Sequence, residues 1–178
     1  MIRAHQYLLV FTCLFCAAVG AQDAMPQIAW PTGWHVQSLD RDDSAVQAPA
    51  NVLRQRAVKN DENGDPVLVM ELTTTTVDAG HEVNVQGVLL EMRKAIQKDF
   101  FQGGYQSACN RIHPATLSRL HALETTCTIT QNGQHVLSQT IVAAVDSGKA
   151  YVFSYAGQAE VYAASQDEIQ RVRNSLKF

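Results

Sequence analysis

Apolar and polar positions along this chain alternate with two different periods, and the switches between them mark its elements. Residues 52–59 (VLRQRAVK) and 67–77 (VLVMELTTTTV) carry the alternation and β-branched composition of strands. A shorter strand begins over Trp34 to Gln37, after a turn made by Pro31 and Gly33. Asn63-Gly64 predicts a type I′ hairpin turn between the two longer strands, with positive φ at both residues. Over residues 83–101 the period changes. Val85, Val88, Leu89, Met92, Ile96 and Phe100 recur at helical spacing among charged and amide residues. This is an amphipathic helix with one stripe turned to a sheet, stopped by Gly103-Gly104. Strand character returns over residues 105–113 and 120–130, joined by the HPATLSR segment as a turn region. Leu123, Thr125, Cys127 and Ile129 fall on one face of the second of these. Asn132-Gly133 and Ser147-Gly148-Lys149 predict turns on either side of a strand over 135–145, and a last strand follows at 150–156. Ser165 and Glu168 form an S-x-x-E capping box for a C-terminal helix whose Ile169, Val172, Arg173 and Leu176 share a face. The order predicts an α+β fold: an antiparallel twisted sheet of about six or seven strands with two helices, one mid-chain and one C-terminal.

The opening of the chain follows neither period. Arg3 is a short positive start, Tyr7 to Val19 is apolar except for Thr12, and Val19-Gly20-Ala21 ends the run in small residues. This is the three-part pattern of a secretory signal, with cleavage after Ala21. The apolar run falls short of the roughly 20 residues that span a bilayer, which sets an uncleaved anchor behind a cleaved leader. Cys13 and Cys16 follow Thr12 and Phe15, where lipidation requires a small residue, so both read as apolar positions of the leader. Residues 1–21 are thus expected to be a signal peptide and 22–178 a single α+β domain, in the periplasm or secreted. The polar, Ala- and Pro-punctuated stretch from Asp40 to Asn51 reads as a loop within it.

Composition then narrows the function classes. Losing Arg3 with the leader leaves 13 basic and 17 acidic side chains, a net charge of −4. No basic block stands out, which argues against nucleic acid or an anionic lipid surface as partner. No membrane span is expected in the mature chain.

Two cysteines remain beyond the leader, Cys109 and Cys127. In an oxidising compartment an isolated pair forms a structural disulfide. With the hairpin centred near Ser118 the two are symmetric about it, and directly opposed residues on antiparallel strands lie near disulfide distance. A redox-active pair lacks the C-x-x-C spacing that would support it.

Candidate chemistry is sparse. His35, His81, His113, His121 and His135 show no metal-ligand spacing; His113 and His121 flank one turn, and a two-His site would still lack ligands. Glu71 and Glu124 are isolated acids on strands, Ser138 and Ser154 are ordinary strand serines, and no G-x-S-x-G occurs. Gly103-Gly104 ends a helix rather than opening one, unlike a phosphate loop. No catalytic residue, metal or cofactor is assigned. Trp30 and Trp34 read as core anchors in preference to a binding platform. Tyr151, Phe153 and Tyr155 alternate onto one strand face, with Tyr162 following. They allow two readings: rings packed under a helix, or a partly open aromatic groove for a peptide or lipid-like ligand.

The element order, together with Pro-Thr-Gly-Trp at 31–34, Tyr-Val-Phe-Ser-Tyr at 151–155 and Ser-Leu-Lys-Phe at 175–178, resembles the PsbP-like and DcrB-like fold group. The stretch from Ala57 to Leu72 also resembles an uncharacterised family of small secreted proteins of Gram-negative bacteria. The resemblance implies a mostly non-enzymatic set of extrinsic subunits, adaptors and envelope factors, with no catalytic residues to carry over. The expected function is an exported, non-enzymatic binding or adaptor-type envelope protein whose partner is another envelope protein or a small apolar ligand. The alternatives are a periplasmic immunity-type protein that neutralises a toxin and a small hydrolase with an unrecognised site.

Overall fold

A computed structural model describes residues 25–39 and 51–178. The leader with its Ala21 cleavage point, and the loop expected from Asp40 up to Ala50, lie outside the described residues. The elements are β1 (His35–Leu39), β2 (Val52–Asn60), β3 (Pro66–Thr76), α1 (Val85–Gln102), β4 (Gln106–Cys109), β5 (His113–Leu117), β6 (Leu120–Gln131), β7 (Gln134–Asp146), β8 (Lys149–Gln158), α2 (Ala159–Ala164) and α3 (Gln166–Ser175). One antiparallel sheet runs β1-β2-β3-β8-β7-β6-β4, and β5 pairs with β6 beyond the end of β4. The fold is the expected α+β class, with eight strands and three helices among the described residues. No described helix is long and apolar enough to cross a membrane.

The extra strand has a local cause. β4 pairs Cys109 with Cys127, whereas β5 pairs His113 with Glu124, so the register slips by one residue across Asn110–Ile112. Asn110 fills the gap: its backbone N–H donates to Thr126, and its side-chain oxygen accepts the Thr126 N–H at 2.8 Å. The HPATL segment is therefore strand, and the turn shrinks to Ser118-Arg119, with Ser118 at φ 52°.

Two turn and cap expectations need correction. Asn132-Gly133 turns with positive φ at both residues, as type I′ demands. At Asn63-Gly64 only the glycine is positive, because the Asp61 carboxylate accepts the N–H groups of Asn63 and Asp65 and closes a longer loop. Ser165 does not cap α3 with its side chain. It is buried between α2 and α3, and its backbone N–H donates to Val161 of the preceding helix. α2 thus runs almost directly into α3, leaving no free N-terminus for a capping box to serve.

The helices lie on opposite faces of the sheet. α1 packs over β4, β6 and β7, where Leu89 meets Ile141 and Ala143. α2 and α3 close the other face, where Ile169, Val172 and Leu176 meet Met70, Leu72, Val142 and Phe153. Trp34 is part of that second core and Trp30 packs against it, with Lys59 Nζ 5.7 Å from the Trp34 ring. The tryptophans are core anchors.

Candidate functional site

The α3 face of the sheet holds most of the residues that the sequence singles out. Tyr151, Phe153 and Tyr155 share this face, as alternation requires, at 4, 0 and 5 % exposure. Tyr151 packs on Phe178 (centroids 4.4 Å apart) and Tyr155 stacks on Tyr162 of α2 at 5.6 Å. The rings are core beneath the C-terminal helices, so the structure leaves no open groove at these three residues. Alternation places side chains on a face but does not say what lies above it.

A polar network threads this core. Thr126 and Thr140 bring their hydroxyls within 2.6 Å, and Thr140 meets the Tyr162 hydroxyl at 2.5 Å. Burial pushes the Tyr155 phenol well above its ordinary 10, and Tyr162 and Glu124 push the same way; the Thr140 hydroxyl and Arg173 oppose them. Arg173 is itself buried. Its Nη1 donates to Glu124 Oε2 at 2.6 Å and its Nε to the Thr116 carbonyl. His113 Nε2 stands 3.9 Å from the other Glu124 oxygen.

His113 and His121 do not come together across their turn. The hairpin pairs His113 with Glu124 and His121 with Thr116, which sets the two histidines on opposite faces of the sheet. Among the described residues no group of three or more His, Cys, Asp or Glu side chains is placed to hold a metal ion. Cys109 and Cys127 are directly opposed and joined as a disulfide, with Cα atoms 3.9 Å apart. It lies under α1, whose Arg93 and Gln97 donate to the Cys109 and Ser107 carbonyls.

The α1 face carries a site of another kind. α1 ends at Gln102, and Phe100 in its last turn meets Tyr105 edge-to-face at 5.9 Å. Phe100 forms one wall of a cleft of about 180 Å³, whose other sides are Val67 and Val69 of β3, Ile129 of β6 and Leu137 of β7. The small Ala156 on β8 leaves this space open between Val69 and Gln139, its register partners. Gly157 beside it permits a close approach to β3: a Cβ there would lie 2.5 Å from Leu68 Cδ1 and 2.6 Å from the Val67 carbonyl. A more polar hollow adjoins across Leu137 and Gln158, with His135 and Glu160 on its sides. His135 Nε2 lies 2.9 Å from Ser138 Oγ. Phe101 next to Phe100 is 78 % exposed. One signal for this site was present in the sequence: of two adjacent helical aromatics, only one can face the sheet.

An apolar cleft beside a helix, without a gathered set of acids, bases or ligands, is also the setting in which likeness to other proteins is informative. A family model described as "Domain of unknown function (DUF4946)" matches residues 25–178. The chain belongs to this family. No curated protein matches it in sequence. In fold, the family member resembles the solution structure of cyanobacterial PsbP (CyanoP) from Synechocystis sp. PCC 6803, with TM-score 0.58, 12 % identity, and 89 % of this chain and 95 % of that one covered. It also resembles the crystal structure of LpqN, involved in cell envelope biogenesis of Mycobacterium tuberculosis, with TM-score 0.52, 15 % identity, and 89 % and 86 % covered. At these identities the likeness is one of fold. The PsbP-like architecture expected from the sequence is the architecture found.

Proposed function

We propose that this chain is an exported, non-enzymatic adaptor of the cell envelope that holds a partner protein by seating one apolar side chain of that partner in the cleft beside α1. The cleft is the observation that carries the reading. Its volume of about 180 Å³ is close to the ~150 Å³ that accommodates a benzene. That suits a single phenylalanine or leucine side chain and is too small for a lipid tail. Pockets that take one buried anchor inside a polar rim are the usual energetic centre of a protein interface. The Phe101 ring, one residue on from the cleft-lining Phe100, is exposed and adds apolar surface at the same end of α1. The leader pattern at residues 1–21 supports export to the periplasm, and the envelope role named for LpqN agrees with it.

Replacing Phe101 by a photo-crosslinking benzoylphenylalanine in the exporting bacterium tests this. The envelope form should begin at Gln22 and yield a protein adduct on irradiation. Filling the cleft with Ala156→Leu should remove most of that adduct while leaving the chain folded. A chain retained in the cytoplasm with residues 1–21 attached, or an adduct indifferent to Ala156→Leu, would sink the proposal.

A further inference from the structure

The cleft sits at one end of a larger surface. Beyond it the same sheet face continues over β3, β2 and β1, while α1 packs over β4, β6 and β7, and α2 and α3 close the opposite face. On β2, Arg54 and Arg56 share this open face. Gln55, Ala57 and Lys59 point the other way, to the Pro26 carbonyl, the core and Glu168. Across β3 the register partners are Thr73 for Arg54 and Glu71 for Arg56. Glu71 accepts a hydrogen bond from the Thr73 hydroxyl, at 3.3 Å. Among the described residues neither arginine has an ion pair, and the Nε of Arg56 is buried without a hydrogen-bond partner. Arg173 shows the contrast: it is buried, and it is paired with both a carboxylate and a carbonyl. In a chain with an excess of acids, the guanidinium groups of Arg54 and Arg56 thus have no partner among the described residues, on the same sheet face as the apolar cleft.

We propose that this face docks an extended acidic segment of a partner protein, with two of its carboxylates on Arg56 and Arg54 and an apolar side chain in the cleft. The inference rests on the cleft reading above and adds the chemistry of the partner. Guanidinium and carboxylate pair through parallel N–H···O bonds, and the segment's charge complements the arginines. Spacing sets the pattern. Glu71 is two residues from Val69 and Thr73 is four, so Arg56 and Arg54 stand roughly 8 Å and roughly 14 Å from the cleft wall, at about 3.3 Å per residue and about 4.8 Å between strands. An extended partner presents one face every second residue, so it would carry its acids two and four places from the anchor.

Calorimetric titration of the exported chain with the synthetic peptide Phe-Thr-Glu-Thr-Glu-Thr tests the proposal. Binding is expected, weakened at least tenfold by Arg54→Ala/Arg56→Ala and equally by exchanging both glutamates of the peptide for glutamine. The glutamine peptide keeps the test independent of how the variant folds. Changing the peptide's Phe to Ala separates the two readings. Loss of binding there, with indifference to the arginines and glutamates, overturns this inference and leaves the cleft. Dependence on the charges alone keeps the acidic docking and removes the cleft. No binding at millimolar peptide overturns the inference, as does tighter binding to phosphatidylglycerol vesicles than to the peptide.

Discussion

Arg173 shows how far a single position can be read in advance. Helical spacing sets it on the same side of α3 as Ile169, Val172 and Leu176, and all four are buried. A charge at such a position needs a partner, and the partner, Glu124, lies 49 residues earlier on β6. No local pattern names it. Arg173→Ala leaves a half-buried Glu124 and the Thr116 carbonyl without their donor. A loss of about 3 kcal/mol, the lower end for breaking a buried pair, is expected in urea unfolding. Arg173→Met with Glu124→Leu should recover most of it. Tyr155 makes a prediction about pH. Its phenol is held neutral mainly by burial, so its folded pKa lies above the unfolded value of about 10. Stability from this site is complete below pH 10 and falls as pH rises past it, because only the unfolded chain ionises readily there. Unfolding free energy measured from pH 8 to 11 should decline over the upper part of that range, and less steeply in Tyr155→Phe. A decline unchanged in that variant would assign the alkaline sensitivity to other groups.

At the scale of elements, local signals are strong where they are self-contained. α1 begins two residues after its expected start, with Asn84 accepting the Gly87 N–H. The turns at 132–133 and 147–148 close two-residue hairpins. The signals weaken where a neighbouring residue competes. Asp61 takes over the Asn63-Gly64 turn, α2 removes the N-terminus that Ser165 would cap, and Asn110 divides one strand into β4 and β5. The one-residue slip lies between the turn and Cys109 and is what brings Cys109 opposite Cys127; the β5 register continued unbroken would set it against Thr128. The disulfide ties a four-residue edge strand to β6 across a separation of 18 residues. Closing a loop of that length stabilises by about 3 kcal/mol in the chain-entropy model. The reduced chain, or Cys109→Ala/Cys127→Ala, should lose about that much unfolding free energy, read in urea titration as a lower midpoint. Because Arg93 and Gln97 hold α1 to the β4 carbonyls, amide exchange should rise in α1 as well as in β4.

Across the whole molecule, what local patterns show is the class of fold, and what they leave open is its surface. Alternation at period two, helical spacing, turn pairs and an isolated cysteine pair are properties of residues near one another in sequence, so they specify elements, hairpins and the inward side of each helix. The leader pattern is of the same local kind. The pairing of β3 with β8 joins residues about 80 positions apart in the chain, and it is what sets Val67 and Val69 beside Ala156, on the sheet face that Arg54 and Arg56 share. The same pairing puts α2 and α3 over Tyr151, Phe153 and Tyr155, turning the aromatic strand into core. Strand order and the side on which each helix crosses are decided by which long-range burial is best satisfied at once, a cooperative choice that no window of the sequence contains. The sequence alone therefore determined a disulfide-tied α+β domain, and carried the expectation of a leader ahead of it. The tertiary structure alone decided which residues, distant in the chain, share each face of the sheet.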